Sequence, residues 1–179
     1  MPITGLNHAV LYVRNVADSV RFYTEVLGFR PVERLSGFAG AAFLQAPGSS
    51  NDHDLGLFEV GADAAASGAG HGRVGLYHLA WEVDTLSSLE SVLDALHSHG
   101  ALVGATDHGT TKSLYGRDPD GIEFEVAWVV PGDHLDDEAL RPGVTAGRLD
   151  LAREKARYGP ALPGGVGISR RAAGEAPAG

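Results

Sequence analysis

Apolar positions alternate in two short blocks, one near the start of the chain and one near its middle. Residues 6–13 read LNHAVLYV and residues 76–83 read LYHLAWEV. Leu6, His8 and Val13 fall on Leu76, His78 and Val83 at a constant offset of 70. Alternation in a block rich in Val, Leu and aromatic residues predicts a strand. A helical pattern follows each block. In residues 18–27, DSVRFYTEVL, positions Val20, Tyr23 and Leu27 recur at helical spacing, with Asp18 placed to cap and Gly28 to terminate. In residues 87–98, SSLESVLDALHS, the apolar face is Leu89, Val92, Leu93 and Leu96. Ser87 and Glu90 have capping-box spacing there, and Gly100 marks the stop.

Three strand patterns follow each helix, at 29–35, 38–46 and 54–60, then at 101–107, 111–118 and 121–130. Phe58-Glu59-Val60 echoes Phe124-Glu125-Val126, which puts Glu59 at the repeat position of Glu125. The chain therefore reads as βαβββ twice, an α+β architecture. Module one covers 1–62, a Gly/Ala/Ser-rich linker 63–74, and module two 75–130, together one domain over 1–130. A Pro/Gly/Ala-rich tail, 131–179, is expected to carry one short helix at 148–158 and to lie over the surface or a partner chain. About its last 15 residues are expected to be disordered.

Composition narrows the function. The 179 residues carry 14 basic and 23 acidic side chains, a net charge of −9, which argues against nucleic acid and against an anionic membrane surface as partner. The chain has no cysteine, so disulfides, thiol nucleophiles, zinc fingers and iron–sulfur clusters are excluded. Any metal must be held by His, Asp, Glu or backbone oxygen. No run of 18 apolar residues spans a bilayer and no secretory signal is visible, so a cytoplasmic protein is expected.

The candidate chemistry sits on the repeated strands. His8 and His78 occupy equivalent places in the two blocks, and equivalent places approach one another in a pseudo-symmetric pair of sheets. Glu125 lies in FEVAWVV, an otherwise apolar strand, where a lone carboxylate is costly unless paired or metal-bound. Two His and one carboxylate on rigid strands make the facial triad of a non-heme Fe(II) site with open coordination positions. Mn(II), Zn(II) and Ni(II) occupy similar ligands. Asp118-Pro119-Asp120-Gly121 is a tight turn that sets the register of the strand bearing Glu125. His53, Phe43 and Trp81 are candidates for lining a substrate pocket. The acidic run at 133–138 reads as a solvated loop.

The motifs LNHAVLYV, FYTEVLGF, LYHLAWEV and YGRDPDGIEFEV resemble the vicinal-oxygen-chelate superfamily of glyoxalase I, bleomycin-resistance proteins and type I extradiol dioxygenases, over roughly residues 3–130. The likeness is strongest to its small catechol 2,3-dioxygenase-like members. That resemblance implies paired βαβββ modules forming an incomplete barrel around a metal, with His8, His78 and Glu125 as ligands and Fe(II) as the ion. It also implies a homodimer, a small aromatic substrate and dioxygen. In the dioxygenase branch a Tyr ten residues before the Glu ligand hydrogen-bonds substrate oxygen, which is Tyr115 here, and a nearby His acts as acid and base, for which His108 is the candidate. The implied reaction is extradiol ring cleavage of a catechol-like aromatic. Two alternatives stay open. Glyoxalase- and epimerase-type isomerases or lyases take two ligands from each module, which makes Glu59 a candidate fourth ligand. A non-catalytic binding or resistance protein would share the same fold.

Overall fold

The computed structural model describes residues 2–3, 5–140 and 147–165. The expected disordered end of the tail lies largely outside those residues. The chain condenses as two compact units, Met1–Gly75 with Arg117–Ile122, and Leu76–Gly116 with Glu123–Gly179. Three α-helices and two open sheets make up the described residues, an α+β fold.

Unit one runs β1 (Ala9–Val13), α1 (Val16–Leu27), β2 (Arg30–Pro31), β3 (Ala41–Gln45) and β4 (Leu55–Glu59), with sheet order β1-β4-β3-β2. The parallel β1–β4 pair needs the α1 crossover to return the chain. Asn15 rather than Asp18 caps α1, accepting from the Asp18 N–H at 2.9 Å, so the helix starts two residues earlier than the apolar spacing predicts. Gly28 ends it in the left-handed region at φ 69°, as expected. The strand expected over 29–35 shrinks to two residues. Pro31 has no N–H to extend the ladder, and Glu33–Leu35 turns into a 3-10 helix. Leu11, Val13, Phe22, Val26, Leu44, Leu55 and Leu57 form the core between sheet and helix.

The turn at 117–122 packs with this unit. Asp118 accepts from the Asp120 and Ile122 N–H groups at 2.9 and 2.8 Å and from the Tyr23 hydroxyl at 3.1 Å. Gly121 supplies the positive φ of 81° that the turn requires. Burial raises the Asp118 carboxyl above its usual range; burial, with the Asp118 charge beside it, raises the Tyr23 phenol well above its own. Asp120 pairs with the Arg14 guanidinium at 2.9 Å.

Unit two runs β5 (His78–Glu82), α2 (Leu86–Ser98), β6 (Leu102–Asp107), β7 (Thr111–Arg117), β8 (Glu123–Val129), β9 (Gly147–Arg148) and α3 (Leu151–Tyr158), with sheet order β5-β8-β7-β6-β9. Thr85, not Ser87, caps α2, accepting from the Ser88 N–H at 3.1 Å. The tail is part of this unit rather than a loose appendage. Its β9 pairs with the β6 edge, the Gly165 N–H donates to the Val129 carbonyl at 3.0 Å, and the Trp128 Nε1–H reaches the Leu162 carbonyl at 3.3 Å. The expected tail helix is there, shorter than predicted and capped by Asp150.

The ladders correct one expectation about the repeat. Val10 on β1 faces Gly56 on β4, and Ala80, its repeat mate on β5, faces Glu125 on β8. Gly56, not Glu59, therefore stands at the repeat position of Glu125. The Phe-Glu-Val echo is a local coincidence shifted three residues along the strand. Among the described residues no helix is long and apolar enough to cross a membrane.

Candidate functional site

Strand alternation builds the site on one face of the second sheet. His78 faces Glu123 across the parallel β5–β8 ladder, so Glu125, two residues on, shares the face of His78. The His78 Nε2 lies 3.1 Å from the Glu125 Oε2. Two lone-pair donors this close need a proton or a cation between them. The other ring nitrogen of His78, Nδ1, is buried without a hydrogen-bond partner.

Tyr115 and His108 join this pair. Tyr115 lies on β7, edge-on to the His78 ring with centroids 5.9 Å apart, and the Glu125 carboxylate is close enough for its charge to act on the phenol. His108 sits in the β6–β7 turn with Nε2 at 2.9 Å from the Tyr115 hydroxyl. The phenol has one proton, and an ionised carboxylate only accepts. The phenol proton can therefore serve one acceptor at a time, and the His108 tautomer decides whether the Tyr115 hydroxyl donates to Nε2 or accepts from it. Burial, then the nearby Glu125 charge, raises the Tyr115 phenol above its ordinary value, so it is a neutral donor at neutral pH.

Unit one presents a different face. His8 lies just before β1, and its Nδ1 is 2.7 Å from the Asn7 Oδ1. An amide oxygen accepts, so Nδ1 carries the hydrogen and the Nε2 lone pair stays available for a cation. His53 lies beside it, ring centroids 4.6 Å apart, with Phe43 at 5.0 Å from His53 on the other side. Asp54 shapes the loop that places His53, accepting from the Ser49 hydroxyl at 2.7 Å, the Asn51 amide at 2.9 Å and the Ala46 N–H at 2.8 Å. The Asn51 amide also donates to the Asn7 carbonyl at 2.9 Å, tying the loop to the residue before His8.

Two candidates stand elsewhere. The Glu59 carboxylate is exposed at the end of β4 and accepts from the Val16 N–H at 3.0 Å, where an anion complements the α1 N-terminus. Trp81 faces Val126 in the ladder, on the side of the second sheet that packs under α2, opposite to His78. Sequence reasoning passed over Tyr77, whose exposed ring lies 4.6 Å from that of His78, and Asn7, which sets the His8 tautomer. Adjacency to the two His residues was the available signal for both.

Among the described residues no group of three or more His, Asp or Glu side chains is gathered to hold a metal ion. The His78–Glu125 pair nonetheless suits one. A nitrogen and an oxygen 3.1 Å apart match two adjacent ligands of a small divalent ion, each at about 2.1 Å.

Residues 5–126 match the family model described as Glyoxalase/Bleomycin resistance protein/Dioxygenase superfamily. The chain belongs to that superfamily. Within this superfamily, a catechol-2,3-dioxygenase of Bacillus subtilis is 30% identical over 123 residues, 69% of this chain and 41% of the relative. The chain thus spans less than half the length of that curated relative. A glyoxylase/bleomycin resistance protein/dioxygenase domain from Frankia sp. EAN1pec superposes with a TM-score of 0.60 at 25% identity, covering 75% of this chain and 98% of that one. A lactoylglutathione lyase from Agrobacterium tumefaciens shares the superfamily fold with a TM-score of 0.50 at 23% identity, over 71% of this chain and 95% of that one.

Proposed function

We propose that this superfamily member is an Fe(II)-dependent extradiol dioxygenase that opens the ring of a catechol-like aromatic. His78 and Glu125 are the ligands from the second unit and His8 is the third. The observation that carries this reading is the close His78–Glu125 pair with the hydrogen-bonded His108–Tyr115 pair beside it. When bound, the ion supplies Lewis acidity and a common anchor for both reactants.

The side chains around it have separable work. Tyr115, kept neutral, is a directional donor that would hydrogen-bond a substrate oxygen. His108 holds the phenol through Nε2, and an imidazole there can pass a proton either way, so it serves as acid and base toward the substrate hydroxyl. His53 is the competing candidate for that role, since its buried Nδ1 makes no hydrogen bond and stands 3.6 Å from the Asp52 carboxylate. Phe43 beside it suits an aromatic ring. The isomerase alternative needs a carboxylate beside His8, and the ladder offers Gly56 there while Glu59 sits at a helix end.

Oxygen uptake tests the reading. The protein is loaded anaerobically with Fe(II) and mixed with a panel of substituted catechols, while dioxygen consumption and the absorbance of ring-cleaved product are recorded. Uptake is expected to vanish in His78→Ala and to fall at least about tenfold in Tyr115→Phe. His108→Ala and His53→Ala, run side by side, identify the acid–base residue. A verified Fe(II)-loaded sample that consumes no oxygen across the panel sinks the dioxygenase reading in favour of an isomerase or a binding protein.

A further inference from the structure

We propose that Glu154, on the tail helix α3, is a positioning residue: through a buried link to Lys112 and Asp107 it fixes the turn that presents His108 to Tyr115. The proposal rests on the reading of His108 and Tyr115 as site residues.

Lys112 points away from the site, to the face of the second sheet that α3 covers, and is only 1% exposed. A buried ammonium needs opposite charge on every side that water has left. Its Nζ finds two carboxylates, Asp107 Oδ1 at 2.6 Å and Glu154 Oε2 at 3.0 Å. Glu154 is itself 1% exposed, so this is a desolvated pair rather than a rim contact. The Tyr158 ring lies beneath the ammonium, its centroid 5.7 Å away.

The same Asp107 oxygen also accepts from the Gly109 N–H at 2.8 Å. One atom therefore joins the lysine to the backbone of the turn. His108 lies between those two residues. Its own backbone is closed by bonds to Thr111 and Thr110 at 2.9 and 3.0 Å. Gly109 sits at φ 78°, and a Cβ there would stand 2.5 Å from the Ala139 carbonyl, so the tail also packs against the turn from outside. When Glu154 loses its charge, the lysine must lean wholly on Asp107 or withdraw. Either response moves the oxygen that holds Gly109, and the 2.9 Å His108–Tyr115 bond has little slack to absorb it. An apolar pair in place of Lys112 and Glu154 would stabilise the fold about as well. What the ion link adds is a single setting of the turn.

The test reads that bond directly in the metal-free full-length protein. Nitrogen-15 histidine labelling gives the Nε2 resonance of His108, and Tyr115→Phe marks its position with the bond removed. In Glu154→Gln the resonance is expected to move most of the way to the Tyr115→Phe position. Glu154→Gln leaves a buried lysine under-compensated and is prone to unfold, so the double variant Lys112→Met/Glu154→Leu carries the decision. It is expected to melt close to wild type and yet show the shifted His108 resonance. A folded double variant with the wild-type resonance overturns the proposal and leaves the pair a structural one. In the oxygen-uptake assay the double variant is expected to lose about tenfold in kcat with KM unchanged; equal losses in both constants also overturn it. A wild-type protein that takes up no oxygen defeats the dioxygenase reading alone, because the resonance still decides the positioning role.

Discussion

The two units share strand order, crossover and repeat offset, yet they differ where chemistry would sit. Glu125 on β8 has Gly56 as its counterpart on β4. Near Glu125 stands Tyr115, whose phenol feels its charge; beside Gly56 lies the Phe43 ring, 3.6 Å from where a Cβ would be. One face thus holds a carboxylate, a phenol and two imidazoles, and the other an apolar ring with His8 and His53. Their helix-covered faces diverge too, since the buried Lys112–Glu154 pair adds α3 to α2 on the second sheet, while among the described residues α1 packs on the first. Duplication supplied one scaffold twice, and single ladder positions decided which copy carries negative charge.

Removing that charge is the strongest way to break the contrast. Glu125→Gln keeps the shape of the side chain but not the anion, and Fe(II) affinity is expected to fall by at least about a hundredfold in a direct titration. A loss under tenfold would mean that Glu125 is not a ligand. Transplanting the charge tests the other side. At Gly56 a Cβ meets the Val10 methyl at 3.3 Å, so Gly56→Glu fits with a small adjustment but leaves a carboxylate among Phe43 and its neighbours. The cost expected in urea unfolding of the metal-free protein is about 1–3 kcal/mol. An unchanged midpoint would show that this face is wet enough to solvate an anion.

Much of this architecture was legible in the sequence, and the misses have physical reasons. The repeated His8 and His78 blocks and the α1 stop at Gly28 follow from periodicity and from the left-handed turn that glycine permits. The family resemblance singled out Tyr115 and His108 together, and the β6–β7 hairpin brings the two within hydrogen-bond distance. Glu59 misled because a three-residue motif repeats without the ladder repeating, and only strand pairing reveals the shift. Trp81 misled because alternation was read for apolarity and not for parity with His78. The capping residues Asn15 and Thr85 lay three and two residues ahead of the positions that apolar spacing favoured. The weld between tail and second unit was not readable, since it depends on one lysine and one glutamate 42 residues apart meeting in the interior.

A smaller effect sharpens the contrast between Tyr115 and Phe43. Tyr115→Phe removes one hydroxyl from the second unit, and uptake is expected to drop about tenfold or more while the melting temperature barely moves. Phe43→Tyr adds the same hydroxyl to the first unit, where it is expected to change uptake less than twofold. Equal effects of the two changes would mean that the hydroxyl matters only as bulk.

The finest distinction concerns Glu59, because three-ligand and four-ligand chemistry divide on it. Its carboxylate already has a task at the α1 N-terminus, holding the Val16 N–H at 3.0 Å. Glu59→Gln keeps a hydrogen-bond acceptor there and removes only the charge. The loss of stability expected is therefore about 0.3–1 kcal/mol, read from denaturant midpoints and shrinking in high salt, as a screened helix-terminus interaction should. Fe(II) affinity is expected to stay within about twofold of wild type, against the roughly hundredfold change at Glu125. A tenfold loss of metal affinity in Glu59→Gln would reverse the assignment. It would mean that the first unit supplies a carboxylate after all, and that the chemistry belongs with the isomerases that take two ligands from each module.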